Sequence, residues 1–142
     1  EGTIIEKAGN YFQKLTLGTY QGLTIEYDGV DPYIEVLHDS GQRWRVSALS
    51  DGARDQLYLS LRLAFIEQQL NTGQALPIIM DDILVNFDDE RALATLHVLD
   101  ELAEKTQILY FTHHQAIASL HTKLNNAEVI ALGSMKQKAY TN

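Results

Sequence analysis

The chain has 142 residues, with 11 basic and 19 acidic side chains and a formal net charge of −8. This length makes one domain or part of one, and hydrophobic residues at 45% are enough for a core. The acidic balance argues against nucleic-acid binding by this chain alone, and the lack of cysteine excludes disulfides and thiolate metal sites. No run approaches the ~20 apolar residues of a membrane span, so we expect a cytoplasmic protein without membrane contact.

The first third of the chain shows one helical pattern and three strand-like patterns. Apolar residues recur at helical spacing over residues 3–15, which predicts an amphipathic helix. Strand-like runs follow at Leu23–Tyr27, Tyr33–His38 and Arg43–Val46, separated by turn-forming residues, so we expect an antiparallel meander. The chain starts at Glu1, without Met and already in helical pattern, from which we expect a segment of a longer protein.

A long helix is predicted next. Ser50 is a favourable N-cap, and the helical pattern continues from it to about Leu70. The apolar stripe of this helix is expected to consist of Leu57, Leu61, Ala64, Phe65 and Gln68.

The rest of the chain alternates between strands and helices. Short apolar runs at Pro77–Met80, Gln107–Thr112 and Glu128–Leu132 predict buried strands, with helices at 89–104 and Gln115–Leu124 between them. This alternation implies right-handed crossovers and a parallel sheet. The predicted fold class is therefore α/β, with a parallel sheet and flanking helices after the small antiparallel meander.

Two candidate sites carry acidic or polar side chains. Asp81 and Asp82 follow a predicted strand, at the edge where open parallel sheets bind ligands. Their carboxylates suit Mg²⁺ beside a nucleotide phosphate, or they form a solvated strand end with a capping aspartate. Ser50, Asp51 and Gly52 begin the long helix, whose free N–H groups can receive a phosphate, although an ordinary capped helix explains the same residues.

The third candidate site consists of two adjacent histidines. His113 and His114 follow the predicted strand Gln107–Thr112, where an imidazole can donate a hydrogen bond to a phosphate oxygen. A surface histidine pair is the alternative. The five histidines of the chain lack companion ligands at the usual zinc-site spacing, so zinc is not expected.

Four short motifs occur in an order that is more specific than any one of them. Residues 49–56 read Leu-Ser-x-Gly-x-x-x-Gln, and residues 78–82 read Ile-Ile-Met-Asp-Asp. Asn-Phe-Asp follows at 86–88 and Tyr-Phe-Thr-His at 110–113. This order resembles the C-terminal half of an ABC-type ATPase head of the SMC-like branch, which includes the double-strand-break repair and RecF-type proteins.

The resemblance covers about residues 44–132 and is most detailed in two segments. Residues 49–59 and 87–91 are similar to the YhaN-like proteins of that branch. The implied fold is that of a P-loop NTPase, of which this chain would be the C-terminal lobe.

The resemblance also implies a division of the 1–142 half-head. Residues 1–16 would end a coiled-coil helix, 23–47 form the meander, and 48–142 carry the motifs. No Gly-x-x-x-x-Gly-Lys-Ser/Thr loop occurs in the 142 residues. In this family that Walker A loop lies at the far N-terminus, beyond long coiled coils. The N-terminal half of the same protein is thus an expected partner, and this lobe alone is expected to be inactive.

Nucleotide-binding residues are implied at the helix start and in the loop before the next helix. Ser50 and Gly52 resemble the signature motif, which contacts the γ-phosphate of ATP held by the opposite head. Asp51 stands between them in place of a second glycine, and its charge would need an offset from Arg54 or Arg62. Asn-Phe-Asp, ending in Asp88, matches the D-loop at the interface of two heads.

The same resemblance implies three catalytic roles. Asp81 resembles the Walker B aspartate, which holds Mg²⁺ through water, and Asp82 occupies the position of the carboxylate that polarises the attacking water. His113 matches the switch histidine. Asp82 replaces the more usual glutamate and is one methylene shorter, so slow turnover is expected, because a shift of ~1 Å at a catalytic group can cost about 10²-fold.

The resemblance implies an SMC-like ATPase that hydrolyses ATP between two paired heads, in DNA repair or DNA end processing. Expected partners are a second head, DNA bound by the intact protein, and a nuclease. Two alternatives stay open. One is a fragment of a transporter cassette, and the other is a degenerate head that acts only as a dimerisation module.

Overall fold

A computed structural model describes residues 3–133 of the chain. The remaining parts of the predicted half-head, 1–2 and 134–142, lie outside the described residues. The helices and strands are α1 Ile4–Leu15, β1 Tyr20–Asp28, β2 Asp31–His38, β3 Arg43–Arg45, α2 Asp51–Asn71, β4 Ile78–Asp81, α3 Asp89–Leu102, β5 Ile108–Phe111 and α4 Gln115–Ser119, with short 3₁₀ helices at Val46–Ala48 and Leu120–Lys123.

Helix α1 begins with a reciprocal cap. The Glu6 N–H donates to Thr3 Oγ1 over 3.2 Å, and the Thr3 N–H donates to Glu6 Oε2 over 2.8 Å. Two otherwise unpaired donors of the first turn are satisfied in this way. Helix α1 then lies directly on β1, since a Cβ on Gly9 would approach the Leu23 nitrogen to 3.2 Å. The predicted amphipathic helix over 3–15 is confirmed.

Strands β1, β2 and β3 form the expected antiparallel meander, in that order. Ile25 pairs with Ile34, and Val36 pairs with Trp44. Gly29 has a φ of +64°, as the first residue of a two-residue hairpin loop often requires. Strand β1 is longer than the predicted Leu23–Tyr27, because its pairing with β2 extends back to Tyr20.

The meander, α1 and one face of α2 enclose the first of two hydrophobic cores. Phe12 stacks on Tyr20 with a centroid distance of 4.9 Å. The buried residues of this meander core are Ala8, Phe12, Tyr20, Leu23, Val36, Leu49, Ala53, Leu57 and Ala64.

Helix α2 contributes to both cores, which changes its buried face from the predicted one. Leu57 and Ala64 are buried as expected and Leu61 is half-buried, but Phe65 and Gln68 are exposed. A helix packed on two sides buries more than one stripe, so polar residues also become enclosed. The Gln56 side-chain nitrogen donates to the Leu15 carbonyl oxygen over 2.7 Å and ties α2 to the end of α1, and Ser60 is buried on the same helix.

Strands β4 and β5 pair in parallel, with Ile78 opposite Ile108 and Asp81 opposite Phe111. One face of this pair packs against α2 and α3. The buried residues of this second, sheet core are Leu15, Leu59, Leu63, Met80, Leu84, Ala92, Leu96, Val98, Leu99 and Leu102.

The predicted burial of β4 and β5 on both faces is wrong for the described residues. Ile79, Leu109 and Phe111 are exposed large hydrophobic residues. Alternate residues of a strand point to opposite faces, and within 3–133 only one face of the pair is covered. None of the helices in this part of the chain is long and apolar enough to cross a membrane.

The third predicted strand, Glu128–Leu132, does not form in the structure. Residues 128–132 are exposed and belong to no strand among the described residues. A short apolar run indicates a strand only when a sheet edge is available to it. Here the chain leaves the sheet after Leu124, because the N–H groups of Asn125 and Asn126 donate to the Asp100 carboxylate, each over 2.9 Å. The predicted helix Gln115–Leu124 forms as α4 followed by a 3₁₀ turn.

Two phenylalanines give a matched test of the cores. Phe12 is fully buried, whereas Phe65 is 53% exposed. We expect Phe12→Ala to lower the free energy of unfolding by about 3–5 kcal/mol, because it removes a buried ring and leaves a cavity. Phe65→Ala should change it by about 0.5 kcal/mol or less, as is usual for surface substitutions.

Urea denaturation of both variants and the unsubstituted chain provides the measurement. Equal losses of stability in the two variants would contradict the assignment of Phe12 to a core and of Phe65 to the surface.

Candidate functional site

The carboxyl ends of β4 and β5 lie side by side and bring two sequence segments together. Asp81 ends β4 opposite Phe111, the last residue of β5. The next N–H, that of Asp82, donates to the Phe111 carbonyl oxygen over 2.8 Å. Asp82 has a φ of +51°, in the left-handed region that aspartate tolerates better than most residues. The chain therefore turns sharply at Asp82 and directs its side chain towards the residues that follow β5.

The Asp82 carboxylate is the centre of this group of side chains. Thr112 Oγ1 donates to Asp82 Oδ1 over 2.7 Å. His113 Nδ1 lies 2.8 Å from Asp82 Oδ2, and His114 Nε2 lies 3.4 Å from the same oxygen. The Asp82 side chain is only 15% exposed, while that of His113 is 82% exposed. We call Asp82, Thr112, His113 and His114 the Asp82 cluster.

The orientation of His113 follows from this contact. An imidazole that uses Nδ1 towards a carboxylate has Nε2 left to meet a ligand. Asp82 and His113 were both predicted as site residues, and the structure brings them together.

Asp81 is adjacent in sequence but differs in environment. Its side chain is exposed, and no hydrogen bond or ion pair to its carboxylate occurs within residues 3–133. Uncommitted carboxylate oxygens suit Mg²⁺, which binds through one or two carboxylates and keeps several waters. The two adjacent aspartates therefore divide into one free carboxylate and one that is held by its neighbours.

Tyr110 supports the loop that follows Asp82. The Leu84 N–H donates to Tyr110 Oη over 3.2 Å. The pKa of Tyr110 is raised to about 12, mainly by burial and also by the charges of Asp82 and Asp81, while hydrogen bonds from the Leu84 and Ile83 N–H groups oppose the shift. The motif Tyr-Phe-Thr-His contains Tyr110 and Thr112, for which the sequence predicts no role. Their spacing of two residues, across the end of β5, was the available signal, because alternate residues of an extended chain face the same side.

The start of α2 forms a second, separate surface. Ser50 caps the helix, with the Ala53 N–H donating to its Oγ over 3.2 Å. The Asp51 side chain is 98% exposed and lies 3.8 Å from the Arg54 guanidinium, whose other nitrogen donates to the Leu49 carbonyl oxygen. Of the two arginines considered as an offset for the charge of Asp51, Arg54 is the one that pairs with it.

The loop before α3 lies next to this helix start. A Cβ on Gly52 would lie 3.5 Å from the Asn86 carbonyl oxygen, an ordinary contact distance. Asp88 is the N-cap of α3, because its Oδ1 accepts the Arg91 N–H over 2.9 Å, and its Oδ2 lies 3.4 Å from Arg91 Nε. Across residues 3–133, no hydrogen bond or ion pair joins Ser50, Gly52 or Asp88 to the Asp82 cluster.

The expectation that the histidines lack companion ligands needs a correction. Asp82, His113 and His114 present one ligand atom each, all within 4.8 Å of one another. Histidine spacing alone could not reveal this group, because its third member comes from the segment after β4.

The chain is similar to known proteins both in sequence and in fold. No family model matches the chain. The chain is 40% identical over 115 residues to the uncharacterised protein YhaN of Bacillus subtilis. This match covers 80% of the present chain and 12% of YhaN. The chain is also 35% identical over 79 residues to the DNA double-strand break repair Rad50 ATPase of Sulfolobus acidocaldarius, covering 55% of this chain and 9% of that one. The chain thus spans only a small part of each relative.

Two solved structures share the fold. One comes from work on the ATP-driven dimerization and DNA-stimulated activation of SMC ATPases, with a TM-score of 0.67, 17% identity, and coverage of 82% of this chain and 71% of that chain. The other is the Smc head domain of Pyrococcus furiosus bound to the C-terminal domain of ScpA, with a TM-score of 0.63, 16% identity, and coverage of 82% and 29%. At these identities the likeness establishes the fold.

The environment of Tyr110 predicts a pH dependence of stability. With a folded-state pKa of about 12 against an ordinary value of 10.0, the unfolded chain loses its proton first as the pH rises. The protonated Tyr110 side chain therefore makes its full contribution to the free energy of unfolding below about pH 10. This contribution is lost as the pH rises through about 12. In Tyr110→Phe, the free energy of unfolding should no longer fall with pH through this side chain.

Urea denaturation at pH 9 and at pH 11.5 provides the measurement, with the exposed Tyr58→Phe as control. At pH 9, Tyr110→Phe should be less stable by about 1 kcal/mol, because the Leu84 N–H loses its acceptor. An alkaline loss that is the same in Tyr110→Phe, Tyr58→Phe and the unsubstituted chain would contradict the assignment.

Proposed function

We propose, on the premise that this chain is part of an SMC-like ATPase head, that two such heads pair and hydrolyse ATP between them. The observation that carries the proposal is the contact of 2.8 Å between His113 Nδ1 and Asp82 Oδ2, beside the uncommitted carboxylate of Asp81. Phosphoryl transfer to water uses three such groups: a carboxylate that binds the metal, a carboxylate that activates the water, and an imidazole that binds the phosphate.

In this proposal the two aspartates have different tasks. Asp81 would hold Mg²⁺, which when bound neutralises charge on the phosphates. Asp82 Oδ2 would accept a proton from the attacking water, and Thr112 keeps the carboxylate in position by donating to Oδ1. Oδ2, which also contacts His113 Nδ1, would accept the proton through its second lone pair.

His113 would connect the water to the phosphate. Its Nδ1 lies against Asp82, so its Nε2 is the atom that can donate to an oxygen of the γ-phosphate when the ring is protonated. A single contact thereby orients both the proton acceptor and the phosphate-binding group. Positioning and electrostatics of this kind supply most of the catalysis in phosphoryl transfer.

The start of α2 would serve the nucleotide of the opposite head. Ser50 and Gly52 lie at a helix N-terminus, which favours a phosphate through its partial positive charge and free N–H groups. Arg54 moderates the added charge of Asp51 at this position. Asp88 would contribute to the interface through the loop that it ends. A second head is proposed because, within residues 3–133, no hydrogen bond or ion pair joins this surface to the Asp82 cluster.

The division of the chain and its partners belong to the same proposal. Residues 1–16 would end a coiled coil, 23–47 form the meander and 48–142 form the nucleotide lobe. The exposed face of β4 and β5 is apolar, as a surface that receives the N-terminal half with the Walker A loop should be.

DNA is proposed as the substrate of the intact protein because one relative is a DNA-repair ATPase, and a nuclease is a candidate partner. The proposed location is the cytoplasm.

Two substitutions separate the proposed roles of the aspartates. In the intact protein, Asp82→Asn should bind ATP and accumulate as a paired head, but hydrolyse it roughly 10²-fold more slowly, because the amide cannot accept the proton. Asp81→Asn should instead weaken Mg²⁺-dependent ATP binding. Turnover, ATP affinity and dimer mass are measured for both variants side by side.

The control substitution is Asp89→Asn, an exposed aspartate at the start of α3, and its turnover should match that of the unsubstituted protein. Near-normal hydrolysis in Asp82→Asn would contradict its role. Absence of hydrolysis in the unsubstituted protein would overturn the ATPase proposal and favour a dimerisation module.

A further inference from the structure

The Asp82 cluster contains a second imidazole, that of His114, to which the proposed hydrolysis of ATP assigns no role. His114 Nε2 lies 3.4 Å from Asp82 Oδ2, although His113 alone is enough to orient this carboxylate. The two imidazole rings lie close together, with centroids 4.2 Å apart and planes inclined by 35°. We propose that Asp82, His113 and His114 form a binding site for a divalent transition metal ion such as Zn²⁺, distinct from the Mg²⁺ position at Asp81.

The donor set selects this class of ion. Two imidazole nitrogens and one carboxylate oxygen suit Zn²⁺, Co²⁺ or Ni²⁺, whereas Mg²⁺ prefers oxygen ligands and its own waters. Asp81 offers oxygen alone. Adjacent residues therefore present two sites of different chemical preference.

The distances are also suitable. With metal–ligand bonds of about 2.0–2.2 Å in tetrahedral geometry, two ligand atoms of one zinc ion lie about 3.3 Å apart. The two distances from Asp82 Oδ2 to the histidine nitrogens, 2.8 and 3.4 Å, lie on either side of this value. All three ligand atoms lie within 4.8 Å of one another, so small side-chain rotations bring them around one ion.

The surrounding residues hold the ligands in place. Thr112 Oγ1 donates to Asp82 Oδ1 and accepts the His114 N–H over 3.1 Å, so one hydroxyl links the carboxylate to the histidine segment. Contacts that orient a ligand in this way typically change metal affinity 10–100-fold. The exposed ring of His113 leaves the solvent side open for entry of the ion and for a bound water.

Occupation of this site has a consequence that rests on the proposed function. The ion would take up Asp82 Oδ2 and His113 Nδ1, the two atoms assigned to water activation and to orientation of the switch histidine. Hydrolysis should therefore stop while the Asp81 carboxylate stays available to Mg²⁺. The Asp82 cluster would act as an inhibitory metal switch on the proposed ATPase.

Binding is measured directly, without reference to ATP. The 142-residue chain is titrated with Zn²⁺ by calorimetry, and with Co²⁺ by its visible absorption, which reports nitrogen and oxygen ligation. We expect one ion per chain. Affinity should fall by about 10²-fold or more in His114→Gln and in His113→Gln, since each loses a ligand. The control is His97→Gln, an exposed histidine of α3, which should leave the affinity unchanged.

Circular dichroism establishes that each variant is folded before its titration is interpreted. Equal affinity in the unsubstituted chain, His113→Gln and His114→Gln would overturn the metal site, as would loss of binding in His97→Gln alone. Because the readout is bound metal, an intact protein without ATPase activity would overturn the proposed function but not this site. Absence of metal binding would overturn this site but not the proposed function.

Discussion

Parallel pairing of β4 and β5 determines the geometry of the Asp82 cluster. The register sets Asp81 against Phe111, and the Asp82 N–H continues the pairing by one more hydrogen bond, to the Phe111 carbonyl oxygen. Because both strands end at the same edge, Asp82 meets Thr112 and His113 although they come from separate segments. A shift of the register by one residue would turn these side chains to the opposite face of the sheet.

Helix α2 connects this sheet to the rest of the molecule. One of its faces packs in the meander core and another in the sheet core, and its buried Gln56 bonds to the Leu15 carbonyl oxygen at the end of α1. The glutamine of the Leu-Ser-x-Gly-x-x-x-Gln motif thus has a structural role. Since Ser50 begins the same helix, the position of the proposed phosphate-binding surface depends on packing in both cores.

Sequence patterns predicted helices and strands more reliably than they predicted the burial and contacts of individual side chains. The spacing of apolar residues revealed the helices α1, α2 and α3, whose period differs from that of strands. Short apolar runs and the turn-forming residues beside them revealed the meander and the parallel strands. The apolar spacing wrongly predicted that Phe65 is buried. Helix α2 lies between two cores, so its buried surface is not a single apolar stripe. The prediction of a strand failed for Glu128–Leu132, where hydrogen bonds to Asp100 direct the chain elsewhere. In the site, the sequence suggested Asp82, His113 and His114, whereas the role of Thr112 and the contact of His114 with Asp82 needed the register of two distant strands.

The central claim is the proposal that the start of α2 in one head and the Asp82 cluster of a second head form one nucleotide site. Mixing the intact Ser50→Arg and Asp82→Asn proteins tests it, since neither protein alone can assemble an undamaged site. In a mixed dimer, Asp82 of the first chain meets Ser50 of the second, so one of the two sites is intact. Random pairing should then restore up to about one quarter of normal ATP hydrolysis. A rate no higher than the average of the two separate proteins would contradict the claim.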